Sequence, residues 1–179
     1  MSDRSFNVDL PPGYSLRQGS TLDRALLLKF MHNTYLELSP ASELSHLAQT
    51  VAQYFSRDTP LWWVDYDVQK PQSHVEPIVL PTSRHSTING RIVACLWLGS
   101  AIDQLQGDRH THVFLLYVAP NHRRKGIGSA LMHQAEAWAT AQGDCQIGLQ
   151  VFQSNQPALS LYQQLGYQTQ SLWMVKSLK

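Results

Sequence analysis

Apolar and polar positions change their spacing several times along the chain, and each change predicts an element. The opening stretch, ending in Leu10-Pro11-Pro12-Gly13, has no period and reads as a flexible arm over residues 1–13. Tyr14-Ser15-Leu16-Arg17 alternates and predicts a short strand. Leu22, Ala25, Leu26, Phe30 and Met31 then share one face of a helix expected over about 21–34. Ser20 and Asp23 precede it at capping-box spacing. Ser39-Pro40 opens a second helix, expected over about 41–56, with Leu44, Leu47, Val51, Tyr54 and Phe55 turned inward. The aromatic and β-branched run LWWVDYDV (61–68) predicts a strand.

Residues 69–89 contain Pro71, Pro77 and Pro81, show no helical period and read as a loop insertion. Asn89-Gly90 is a hairpin signal that pairs the strand before it with RIVACLWLGSA (91–101). THVFLLYVAP (111–120) is a nearly continuous apolar run, the mark of a central strand covered on both faces. A helix is expected over about 126–142, burying Ile127, Ala130, Leu131, Ala135 and Trp138. In CQIGLQVF (145–152), Cys145, Ile147, Leu149 and Val151 alternate with Gln146, Gly148, Gln150 and Phe152, predicting another strand. A short helix follows, with Pro157 in its first turn, Ala158, Leu161 and Leu165 on its apolar face, and Gly166 as a stop. LWMVKSL (172–178) reads as a final strand. This order of strands and helices predicts a mixed α/β (α+β) fold in a single domain over 14–179.

Composition narrows the chemistry. The 179 residues carry a formal charge of +1, which gives no global attraction to nucleic acid or an anionic membrane. Cys95 and Cys145 lack metal-site spacing, and each lies in an apolar run, so both are expected as buried thiols in a reducing compartment. No apolar stretch approaches the ~20 residues of a membrane span, and the N-terminus lacks a signal-peptide core. A cytoplasmic location without a bound metal is the expectation.

Any basic feature must therefore act locally. Arg123, Arg124 and Lys125 stand directly before Gly126 and Gly128, at the start of a helix that follows a strand. A helix N-terminus presents free N–H groups and about half a positive charge. Glycines there let an anion approach the backbone closely. The turn is neither a P-loop nor a dinucleotide fingerprint, whose sixth position would be glycine where this chain has Leu131. Taken alone, it is either an anion cradle or a solvated basic turn.

With its flanks, LLYVAPNHRRKGIGSALMHQAEAWA resembles the acyl-CoA motif of the GNAT superfamily of N-acetyltransferases, Arg123, Gly126 and Gly128 holding its R/Q-x-x-G-x-G/A positions. SNQPALSLYQQLGYQ (154–168) resembles the superfamily's second element, matched by Asn155, Ala158, Tyr162 and Gly166-Tyr167. The resemblance implies a mostly antiparallel twisted sheet of six to seven strands with about four helices. It also implies acetyl-CoA as acyl donor and an amine as acceptor, in a monomer or homodimer. Backbone groups of Leu116, Tyr117 and Val118 would meet the pantetheine arm where the strand splays from its neighbour. Amides from Arg124 through Lys125, Gly126, Ile127 and Gly128 to Ser129 would hold the pyrophosphate, with side-chain charge from Arg123, Arg124 or Lys125. Asn155 would touch the pantetheine or cap the next helix. Tyr162 would protonate the departing thiolate, unless it belongs to the core.

The resemblance leaves the base open. Several of these enzymes carry a glutamate where this chain has Gln150. His110 and His112 are candidates, with Glu37 a weaker one and simple surface histidines the alternative. Acceptor selection would fall to residues 32–42 and to the insertion at 69–89. Trp62, Trp63 and Trp97 either line an acceptor pocket or pack in the core. Gln150 also keeps a second function in view, an acyl-CoA-binding sensor without turnover. A nucleic-acid-binding domain is the weakest reading, because the cations form one cluster and no face.

Overall fold

A computed structural model describes residues 9–38, 44–67, 90–103 and 105–178. Its elements are β1 (Tyr14–Gln18), α1 (Arg24–Leu38), α2 (His46–Tyr54), β2 (Leu61–Asp67), β3 (Gly90–Ile102), β4 (Arg109–Val118), α3 (Ile127–Gln142), β5 (Ile147–Leu149) and α4 (Gln156–Gln164). The five strands form one sheet in sequence order, antiparallel from β1 to β4 and parallel between β4 and β5. The chain divides into two compact units, one running to Leu149 and the other starting at Gln150.

In the first unit, strand alternation sends side chains to two separate cores. Leu27, Phe30 and Met31 of α1 and Leu47 and Val51 of α2 pack on Leu61, Trp63, Cys95, Trp97, Leu115 and Tyr117 of the sheet. Trp62, Val64, Leu96 and Leu98 alternate with these and are buried too. Helix α3 packs on β3 and β4 and buries Ile127, Ala130, Leu131, Met132 and Ala135. Burying a large apolar side chain contributes roughly 1.5–3 kcal/mol, so the two helical layers hold the central strands firmly in register. The three tryptophans are therefore core residues, with Trp63 and Trp97 fully buried. Asp65 is buried as well, satisfied by Arg17 Nε at 2.8 Å.

The register of β3 and β4 slips once. Trp97 faces Leu115 but Leu98 faces Val113, so Phe114 is the extra residue of a β-bulge. Its ring stacks on Trp97 with centroids 4.8 Å apart, over Gly99, where a Cβ atom would lie 2.0 Å from the ring.

Several expectations are corrected. Helix α1 enters through a 3-10 turn at Thr21–Asp23 and continues to Leu38, since no breaker intervenes before Ser39-Pro40. The start of the second helix, Val68, the insertion at 69–89 and Asn89 lie outside the described residues. Strand β5 has three residues instead of eight, ending where the bulge re-aims the edge of β4. Cys95 is buried, but Cys145 is exposed in the turn before β5.

In the second unit, α4 carries Ala158, Leu161 and Leu165 half-buried, and the chain leaves it through Gly166 at φ +87°. Residues 172–178 form no strand, so among the described residues the sheet has five strands in place of six to seven. Leu172, Trp173, Met174 and Val175 are all largely exposed in irregular chain. Apolar, β-branched composition suits a strand, but only a ladder partner makes one.

Candidate active site

The end of β4 differs from its middle. Thr111, His112 and Val113 pair with β3 on one side and with β5 on the other. From Phe114 to Val118 the strand pairs only with β3, leaving its other edge without a strand partner among the described residues. Ala119 donates its N–H to Val93 on the β3 side at 2.8 Å. Backbone groups alternate along a strand, so those of Tyr117 also turn to β3, and those of Leu116 and Val118 turn to the open edge. The carbonyl of Val118 is taken by Arg123 Nε at 2.7 Å, and the Leu116 amide points to the space beyond.

The basic turn follows directly. After a single 3-10 turn at Pro120–His122, Arg124 adopts φ 60° and Gly126 φ +83°, two left-handed residues flanking Lys125. Glycine suits this backbone, but Arg124 carries a penalty of about 1–2 kcal/mol for it. Alternation of hand curls successive N–H groups to one side, a concavity suited to an anion. No side chain caps α3, so the amides of Ile127, Gly128 and Ser129 remain available, and open space surrounds the missing Cβ of Gly126. Among the described residues, no atom beyond Gly126 and its chain neighbours lies within 4 Å of that Cβ position.

The three cations are not equivalent. Arg124 is exposed and makes no polar contact among the described residues. Lys125 Nζ donates to Tyr14 Oη at 3.2 Å and lies 5.9 Å from the centre of its ring. The Tyr14 hydroxyl also meets His122 Nδ1 at 2.9 Å, and Tyr66 closes this cluster 5.1 Å from the His122 ring. Burial, then the charges of Lys125 and Arg91, hold His122 below the ordinary histidine range. Arg123 is committed elsewhere, to Val118 and to Glu37 at 2.5 Å. Glu37, in the last turn of α1, also accepts from Tyr117 Oη at 3.1 Å. Burial first, and Glu37 second, raise the Tyr117 phenol above its usual value.

The histidines expected near the site sit elsewhere on β4. His112 lies four residues before Leu116, about 13 Å along a strand, and His110 about 20 Å. Their rings are 6.4 Å apart, with Gly148 opposite, where a Cβ atom would stand 2.9 Å from His110 Nε2. Burial, with a smaller contribution from His110, lowers the His112 pKa.

In the second unit, Asn155 caps α4, its Oδ1 accepting from the Ala158 amide at 3.3 Å. Tyr162 is half-buried beside Tyr167, ring centroids 5.8 Å apart, and burial pushes its phenol up to about 12. That hydroxyl keeps its proton at any ordinary pH.

An opened strand edge leading into an uncapped, left-handed glycine turn is an arrangement for a long ligand with an anionic middle. The acetyltransferase (GNAT) family model matches residues 29–167. The chain belongs to the GNAT acetyltransferase family. A predicted acetyltransferase from Clostridium acetobutylicum, solved with acetyl-CoA, has the same fold at TM-score 0.66 and 14% identity, over 92% of this chain and 96% of that one. An acetyltransferase of Yersinia pestis (strain Pestoides F) is 26% identical over 62% of this chain and 72% of its own length. Streptothricin acetyltransferase of Streptomyces lavendulae is 42% identical over 50 residues, 28% of this chain. The chain spans about a quarter of that relative's length, 26%.

Sequence reasoning missed three parts of this candidate site. The Tyr14–Tyr66–His122 cluster joins residues from β1, β2 and the turn, and no local spacing announces it. The tie from Glu37 to Arg123 spans 86 positions. The bulge did have a signal, since Gly99 inside a strand pattern marks such irregularities.

Proposed function

We propose that the protein transfers the acetyl group of acetyl-CoA to a primary amine by direct attack in a ternary complex. The observation that carries this reading is the open edge of β4 running into the uncapped turn at Arg124–Ser129. In this reading the pyrophosphate lies on the amides from Arg124 to Ser129, with Arg124 and Lys125 supplying side-chain charge. The pantetheine arm follows the edge at Leu116 and Val118, and the Leu116 amide suits a thioester oxygen as negative charge develops on it. Asn155 serves first as the cap of α4 and through it sets the pitch of the helix that carries Tyr162. Tyr162 protonates the CoA thiolate as it leaves, a role its retained proton supports.

The amine must arrive neutral. For a lysine-like group with a pKa near 10.4 this costs roughly 4–5 kcal/mol at pH 7. His112 is neutral enough to accept a proton but lies in the paired part of β4, about 13 Å from Leu116. The reading therefore assigns the proton to water or favours an amine of lower basicity. The catalysed reaction is supported over the sensor alternative by Tyr162, whose hydroxyl a pure binder does not need.

One experiment tests both. Acetyl-CoA at about a hundred times its dissociation constant adds roughly 2.7 kcal/mol to the folded state. Melting temperature should rise with acetyl-CoA in the wild type and in Tyr162→Phe, but not in Gly126→Glu. In a screen of amines, Tyr162→Phe should lose about 100-fold in kcat. No rise in a well-folded wild type defeats donor binding, and an unchanged rate in Tyr162→Phe defeats the acid.

A further inference from the structure

Arg123 holds the arginine position of the acyl-CoA motif, yet its guanidinium is spent inside the protein. Nε donates to the Val118 carbonyl at 2.7 Å, and Nη2 meets Glu37 Oε2 at 2.5 Å. The guanidinium carbon lies 5.8 Å from the centre of the Tyr117 ring, and Tyr117 Oη donates to the other oxygen of Glu37 at 3.1 Å. Four groups thus close a ring joining the last turn of α1, the open end of β4 and the entrance of the glycine turn.

We propose that Glu37 is a positioning residue of the donor site: through Arg123 it holds the turn against the end of β4. This rests on the acetyl-CoA reading of that turn. The physical reason is the backbone. Arg124 and Gly126 are left-handed, so the direction of the turn's N–H groups depends on how its entrance is fixed. The 3-10 turn at the entrance is a single turn that buries no residue, and its other side is held by His122 and Lys125 on Tyr14, so Arg123 is the tie on the β4 side. A planar guanidinium with one donor on Val118 and another on a carboxylate is held in both position and orientation. Glu37 also fixes the charge pattern, because it neutralises Arg123 and leaves Arg124 and Lys125 to face an anion.

The test is a double-mutant cycle on the dissociation constant of acetyl-CoA, measured by calorimetry on wild type, Glu37→Gln, Arg123→Ala and the double variant. Glutamine keeps an acceptor for Tyr117 and removes the charge that holds Arg123. Glu37→Gln should bind about fivefold more weakly, an effect in the range of one exposed charge pair. Arg123→Ala should bind at least as weakly, and the double variant no more weakly than Arg123→Ala alone. Melting of the unliganded variants separates a lost site from a lost fold, and Glu37→Gln should melt within about 2 °C of wild type. An unchanged constant in Glu37→Gln, as expected of a base, overturns the proposal. So does tighter binding, which would mean that Arg123 had been released onto the phosphates, and so do additive losses. If the wild type itself binds no acetyl-CoA, the donor reading falls and this proposal with it.

Discussion

Strand β4 reads as a nearly continuous apolar run from Thr111 onward, yet its two halves are paired differently. From Thr111 to Val113 it is a central strand, with β3 on one side and β5 on the other. Beyond Phe114 it is an edge. The side chains with obvious chemistry, His110 and His112, lie in the first half, His112 between β3 and β5 and His110 beside β3. The half that opens carries leucine, tyrosine and valine, whose useful groups are backbone amides and carbonyls. In this protein the reactive-looking residues and the reactive-looking place are separated by about four residues of one strand. The bulge at Phe114 is the boundary.

The strongest way to break this division is to disturb the boundary itself. Gly99→Val drives a side chain into the Phe114 ring, which Trp97 and Tyr54 hold at 4.8 and 5.4 Å. We expect a loss of about 3 kcal/mol in urea denaturation, the upper range of overpacking. An unchanged midpoint would mean that the bulge relaxes freely and fixes nothing.

A smaller effect is expected on the closed side. Gly148→Ala places its Cβ against the tip of His110, which can swing, so the cost should be about 1 kcal/mol with acetyl-CoA binding retained. Loss of binding together with stability would show that the two halves are not independent.

The smallest effect is a titration. Burial, aided by the neighbouring His110, lowers the folded-state pKa of His112 below its unfolded value near 6.5. Between the two values the unfolded chain binds more protons, so stability declines as pH falls below about 6.5 and is fully present above it. His112→Phe should flatten part of that decline in urea midpoints taken from pH 7.5 to 5. An identical slope in the variant would assign the decline to other groups.

Much of this architecture was legible beforehand, for reasons that differ by element. The apolar run of β4 is a consequence of burial, and burial is written in composition. The face of α1 was legible only in part, since Phe30 and Met31 are buried as expected while Leu22 and Ala25 are exposed and Leu27 is buried instead. The glycine turn was legible because positive φ at Gly126 demands a glycine, and its basic neighbours demand an explanation. The final strand was misread because Leu172–Val175 have strand composition without a partner. Cys145 was misread because an apolar neighbourhood in sequence is not one in space.

By itself, then, the sequence determined the apolar run of β4, the helix starts at Ser20 and Asn155, and the position of the basic glycine turn. These depend on contacts between residues a few positions apart, where covalent geometry leaves little choice. Only the tertiary structure decided where β4 ceases to be covered, which cation is neutralised by Glu37, and how Tyr14 and Tyr66 come to flank the turn. Those outcomes need chain segments tens of residues apart to meet, and packing alone selects which of them do.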